Sequence, residues 1–305
     1  MSVPVGIMKR VVKRAFEDTS ADDVMSMSAA LAFYTALSLA PLVVLVLTIG
    51  GLIWTGTDVR QELVRQATGL VGKSGGEVVE TILRASAKQD QKGLSALVAF
   101  GGLVFGATTV FAQLQSSLNT VWNVEAKPSK LGGLWDFLRK RLLSLGMVLA
   151  IAFLLLVSLV ASTVLAYASS SVRIDLPGAD ALWSVMAFVV SLVVYSGIFT
   201  AMHRFLPDVR ITWRDAAIGG VITAALFAIG KELLGLYLGQ ASVASSYGAA
   251  GSLFVVLLWV NYSSLILFVG AEITQAFVAE TGRPVQVKGE VGAKPQTEGP
   301  EKAVS

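Results

Sequence analysis

Apolar residues run through this chain in long, nearly unbroken stretches, and the polar positions collect between them. Six stretches, residues 28–54, 94–114, 142–167, 181–205, 216–238 and 253–277, come near or exceed the roughly 20 residues that carry a helix across a hydrocarbon core. All six are predicted to be helices, because an open sheet would leave backbone groups unpaired in lipid. The expected fold is therefore all-α, a polytopic integral membrane protein with six transmembrane helices.

The polar intervals carry their own periodicity. In the 55–93 loop, Val59, Leu63 and Val64, then Val78, Val79, Ile82 and Leu83, recur at helical spacing. Two short amphipathic helices are predicted there, around a turn at residues 72–76. Residues 1–27 form a basic amphipathic segment: Val5, Ile7, Met8, Val11, Val12 and Phe16 alternate with Lys9, Arg10, Lys13 and Arg14. Such a helix suits the inner membrane surface, with a solvated or internally packed helix as the alternative. The first apolar stretch is too long for a signal peptide and no small-residue cleavage site follows it, so it is expected to be retained. From Thr281 onward Gly, Pro, Lys and Glu follow without periodicity, so 278–305 is expected to be a disordered tail.

Charge then orients the spans. Lys and Arg number four in 1–27, five in 119–141, three in 204–215 and four in 278–305, against six in 55–93, one in 168–180 and none in 239–252. Cytoplasmic flanks carry the basic excess, which places both termini in the cytoplasm. The six basic residues of the 55–93 loop are offset by Asp58, Glu62, Glu77, Glu80 and Asp90. Composition agrees with a membrane location: over the 305 residues, 54% are hydrophobic and only 15% charged. The net charge of +3 is too small to argue for nucleic acid as a partner.

The chain has no Cys and a single His, His203, which removes thiol chemistry, Cys-ligated zinc and a His-rich metal centre within one chain. Neither a metal nor another cofactor is expected. Residues 67–74 (ATGLVGKS) loosely fit a phosphate-binding loop, but a charged helical segment precedes them where a buried strand is required. Residues 72–76 (GKSGG) fit a nucleophile elbow whose His base would lie at the opposite membrane face. Both patterns are better read as an interhelical turn, and the protein is not expected to be an enzyme. His203 reads as an interfacial side chain near lipid headgroups, with a proton-sensitive group as the alternative. Gly102 with Gly106, and Gly235 with Gly239, have the spacing that lets helices approach closely, and a homo-oligomer stays open.

Ionisable residues inside the spans are costly in lipid and need a partner, a cavity or a role. By helical rise, Lys231 and Glu232 lie about 10 Å below the outer end of the fifth span, and Asn261 and Tyr262 lie at a similar depth in the sixth. Glu272 sits about 28 Å along its helix, level with Gln113, Tyr34 and Asn119. These two clusters are candidates for a substrate or ion pathway, and equally for interhelical hydrogen-bond glue.

Four segments carry a family resemblance: 28–42 (SAALAFYTALSLAPL), 118–124 (LNTVWNV), 211–239 (ITWRDAAIGGVITAALFAIGKELLGLYLG) and 247–274 (YGAAGSLFVVLLWVNYSSLILFVGAEIT). The chain resembles, over about residues 10–280, the YihY/BrkB family of bacterial inner-membrane proteins, once labelled ribonuclease BN. The resemblance implies a six-helix protein of the bacterial cytoplasmic membrane, with members linked to serum resistance and some to envelope lipid transport; it supplies no catalytic residues. The ribonuclease label conflicts with a chain holding one His. A transporter or lipid-translocating permease is the expected function, with membrane lipids as partners and an anionic substrate or headgroup attracted by Lys231. The alternative is a noncatalytic scaffold or envelope assembly factor.

Overall fold

The computed structural model describes residues 5–53, 61, 63–65, 67–68, 73–87, 94–124, 179–240, 249–283 and 285–288. Within them the chain forms α1 (Val5–Ala21), α2 (Val24–Ile53), α3 (Lys73–Ala87), α4 (Leu94–Val121), α5 (Ala179–Phe205), β1 (Val209–Arg210), α6 (Trp213–Gln240), α7 (Ala249–Glu280) and β2 (Gln286–Val287). The expected all-α character holds, apart from the two-residue strands, which pair antiparallel with Val209 opposite Val287. Val185–Phe205, Trp213–Tyr237 and Leu253–Glu280 are long and apolar enough to cross a membrane. The chain is a multi-pass membrane protein. The expected third span, 142–167, lies outside the described residues.

By its contacts the chain divides into two units, the first comprising Met1–Asp22, Gln115–Ala228 and Leu267–Ser305, the second Asp23–Leu114 and Ile229–Ile266. In the first, α6 and α7 meet through a reciprocal pair of small residues. A side chain at Gly219 would run into Thr274, and one at Gly270 would run into Thr223. Each threonine hydroxyl donates back to its own helix, Thr223 to the Gly219 carbonyl at 2.7 Å and Thr274 to the Gly270 carbonyl at 2.6 Å. The hydroxyls are thereby satisfied in lipid, while the methyls and Cβ atoms fill the space above the glycines. Gly220 admits α5 in the same way, its missing side chain filled by Thr200 and the Ser196 carbonyl. Phe227 of α6 completes that contact with edge-on packing against Tyr195 and Phe199.

The N-terminal helix joins this unit through one stripe. Val11 and Ala15 pack on Ala276 and Phe277, with Ile7, Ile218 and Ile273 around them, and Arg10 pairs with Glu280 at 2.7 Å. Of the placements open to α1, internal packing thus claims one face. Met8, Val12 and Phe16, four residues apart on the neighbouring stripe, stay exposed.

A polar clasp closes the same unit. Asn119 accepts from the Asp208 amide at 2.8 Å and donates to its carboxylate at 2.9 Å, and Gln115 donates to the other oxygen at 3.1 Å. The chain then enters α6 through a threonine cap: the Thr212 hydroxyl accepts from the Asp215 amide and donates to the Asp215 carboxylate, and Asp215 pairs with Arg283. Helices α4 and α7 both end in left-handed residues, Asn123 and Gly282, with the following amides reaching back to Asn119 and Val278. The tail is therefore ordered further than expected, since Gln286, Val287 and Lys288 are held against 205–210 by the strand pair and by Lys288 donating to the Phe205 and Pro207 carbonyls. Pairing with a distant strand leaves no periodic signal in the tail's own residues.

In the second unit α2 contacts α3, and Gly106 of α4 lies against Ser38 of α2, so this small residue serves packing within the chain. Of the two amphipathic helices expected in the 55–93 loop, α3 covers the second, and its Val79 and Leu83 pack with Leu63, Val64 and Ala67; the turn at 69–72 lies outside the described residues. Lys73 already begins α3, however, which moves residues 73–76 from the turn into the helix. Gly76 lies beneath Thr68 and Val64, so this small residue serves a helical crossing.

Gly219→Ala is expected to destabilise the detergent-solubilised protein by about 1–3 kcal/mol through overpacking. Combining it with Thr274→Ala should recover part of the loss, because the two changes share one contact. Thermal unfolding of the single and double variants checks this.

Candidate functional site

The sequence candidates separate into three environments. Lys231 and Glu232 pair at 3.7 Å, but their side chains are 44% and 76% exposed, so Glu232 in particular points away from the interior of its unit. Adjacent helical residues do not face one another, which makes this a loose pair. Tyr262 places its hydroxyl over Gly230, the residue before Lys231, and Asn261 beside it is half-buried. Tyr34 and Gln113, both half-buried, belong to this second unit. Asn119 and Glu272 belong to the first. Asn119 is committed to the Asp208 clasp, a packing role of the kind left open for it.

Glu272 stands apart. It is fully buried on a membrane-length helix, and neither carboxyl oxygen has a hydrogen-bond partner among the described residues. Its direction follows from helix geometry: Gly270 and Thr274 face α6, so Glu272, about 200° round from Gly270 at 3.6 residues per turn, faces away from it. It shares its face with Ala276 one turn on, and Ala276 packs on α1. On α1 the stripe of Val11 and Ala15 continues at helical spacing into Asp18 and then Asp22, and the charges acting on Glu272 are those of Asp22 and Asp18. Asp18 is engaged by Arg14 at 3.4 Å. Asp22 lies in the turn between α1 and α2, followed by Asp23 in a left-handed conformation. Burial raises the Asp22 carboxyl above the ordinary range, the charge of Asp18 adding to this and its contact with Glu272 opposing it.

His203 differs from expectation. Instead of lying near headgroups it is fully buried, against the backbone of Leu267, with neither ring nitrogen hydrogen-bonded among the described residues. Its place near the end of an apolar stretch suggested an interface; packing of α5 on α7 encloses it instead. Asp208, Asp215, Arg283 and Lys288 escaped the sequence reading, although the T-W-R-D capping pattern at residues 212–215 was a legible signal for Asp215. Among the described residues no group of three or more acidic or His side chains is placed to hold a metal ion.

Residues 15–292 match the family described as Virulence factor BrkB. The chain belongs to this family. Among curated relatives, a UPF0761 membrane protein of Psychromonas ingrahamii is 26% identical over 245 residues, covering 80% of this chain and 79% of that one. UPF0761 membrane proteins of Psychrobacter sp. and Pseudomonas aeruginosa are 29% and 31% identical, covering 83% and 65% of this chain. The chain spans less than half the length of those two relatives, 45% and 46%. No solved structure matches. In this BrkB-family chain the 211–239 and 247–274 segments that carry the resemblance contain the Gly219–Thr274 and Gly270–Thr223 contacts and Glu272 itself.

Asn119→Ala removes both of its bonds to Asp208 and is expected to lower stability by about 1–3 kcal/mol, read as a shift of the unfolding midpoint. A raised native Asp22 value means that the folded protein holds this proton more tightly than the unfolded chain. Its contribution is full below the ordinary carboxyl value of about 4 and is lost as pH rises through the raised value. The unfolding midpoint should therefore fall less steeply with rising pH in Asp22→Asn than in the wild type.

Proposed function

We propose that this protein is a permease-like or lipid-translocating protein of the bacterial inner membrane, with six spans and both termini in the cytoplasm. It carries no catalytic activity in this reading. The observation that carries it is Glu272: a fully buried carboxyl on a membrane-length helix, with no cation bonded to it among the described residues. A group of that kind is costly for packing alone, and replacing it with an apolar residue would suit glue better. Apart from Glu272, the expected inner cluster serves packing at Asn119. Lys231, partly exposed, keeps the role of attracting an anionic substrate or headgroup.

Basic residues support the orientation. Arg204, Arg210, Arg283 and Lys288 gather around the clasp, and α1 of the same unit adds Lys9, Arg10, Lys13 and Arg14. Phe205 and Trp213, packed edge to face at 5.6 Å and both exposed, form an aromatic pair suited to the interface beside them. Membrane lipids are the partners of this end: Met8, Val12 and Phe16 present an apolar stripe, and Lys9 lies next to it on the helix surface.

Reconstitution into vesicles tests the reading. Fluorescent-lipid scrambling or anionic-solute uptake above that of empty vesicles is expected, reduced at least tenfold in Glu272→Ala and more mildly in Lys231→Ala. Transport unchanged in both variants would overturn the pathway. Loss of function on exchanging the 55–93 loop, with transport absent throughout, would favour an assembly factor.

A further inference from the structure

We propose that Asp22 and Glu272 form a proton-binding site that holds one proton between two carboxyls at neutral pH and exchanges it through the α1–α2 turn. The site does not depend on the transport reading. It rests first on packing: the α7 face that carries Glu272 and Ala276 lies on the α1 stripe that carries Val11 and Ala15 and runs on through Asp18 to Asp22. Glu272 is the inner member, fully buried and without a hydrogen-bond donor among the described residues. Asp22 is the outer member, half-buried in the turn between two helices.

The groups acting on Glu272 from α1 and the turn after it are Asp18 and Asp22, and both are acidic. Arg14 is drawn to Asp18, and Arg10 to Glu280. On α6 the acidic Asp215 is already paired with Arg283. No cation among the described residues is therefore bonded to either member of the pair. Two carboxylates that share a water-poor contact do not both ionise, because their repulsion adds to the cost of taking each charge out of water. One proton bound to the pair relieves both terms and supplies the donor that Glu272 lacks. The proton belongs to the pair and not to one residue, so it leaves in a step characteristic of the coupled site.

Asp22 gives the exchange route, since its partial exposure lets water reach the outer carboxyl while Glu272 stays enclosed. Loss of the proton would leave two charges between α1 and α7 and loosen the contact of Val11 and Ala15 with Ala276 and Phe277. Protonation is thus tied to the seating of α1.

Infrared difference spectroscopy of the full chain in lipid nanodiscs, titrated from about pH 5 to 10, tests the site. The wild type is expected to show a protonated-carboxyl band that persists at pH 7 and disappears in one step at higher pH. Glu272→Gln should abolish it, and Asp22→Asn should shift its midpoint by at least one unit. Circular dichroism and elution volume show whether each variant is folded. Should Glu272→Gln fail to fold, the Asp22→Asn shift alone decides. Absence of the band in wild type at pH 7, its survival in folded Glu272→Gln, or an unchanged midpoint in Asp22→Asn would each overturn the proposal.

Discussion

The close approach of α6 and α7 through Gly219, Thr223, Gly270 and Thr274 is the contact on which the described unit is built. Lipid offers no hydrophobic gain for bringing two apolar helices together, so their association depends on how tightly the surfaces fit. Two glycines remove the side chains that would hold the helices apart, and two threonines fill the space while bonding to their own backbones. The same contact sets the rotation of α7 about its axis. With Gly270 and Thr274 turned to α6, Glu272 turns away from it, on the side of Ala276, which packs on α1, and the charges acting on it are those of Asp18 and Asp22.

The polar clasp at 205–215 does a different job. Asn119, Asp208, Asp215, Arg283 and Lys288 tie the ends of α4, α5, α6 and α7 to one short segment, through side-chain bonds both to one another and to backbone groups. Lys288 satisfies the Phe205 and Pro207 carbonyls at and beyond the end of α5, and Thr212 the Asp215 amide in the first turn of α6, groups that a helix terminus leaves open. The clasp's polar members are satisfied; those of His203 and Glu272 are not among the described residues. That contrast separates residues that build the fold from those with chemistry left over.

Much of the architecture was legible in the chain. The helical form of the described apolar stretches, the amphipathic helix at 73–87 and the amphipathic character of α1 all follow from spacing, because period and hydropathy are local properties. The singling out of Glu272 was legible too, since one acid within an apolar run is conspicuous. The fates of its supposed neighbours were not. Asn119 turned out to bond Asp208, 89 residues away, and Glu232 to face outward, because depth along a helix says nothing about rotation around it. Asp22 was missed as a partner because it lies in a turn outside the spans.

The amino-acid sequence by itself determined the solvent of this protein, the helical form of its apolar stretches and its kinship with the BrkB family, since each depends on the order and kind of residues alone. Tertiary structure decided which faces meet. Whether an acid in a span is glue, surface or site depends on the rotation of its helix and on what packs opposite. Those are set by glycine-mediated contacts such as Gly219 with Thr274, whose partners stand 55 residues apart in the chain.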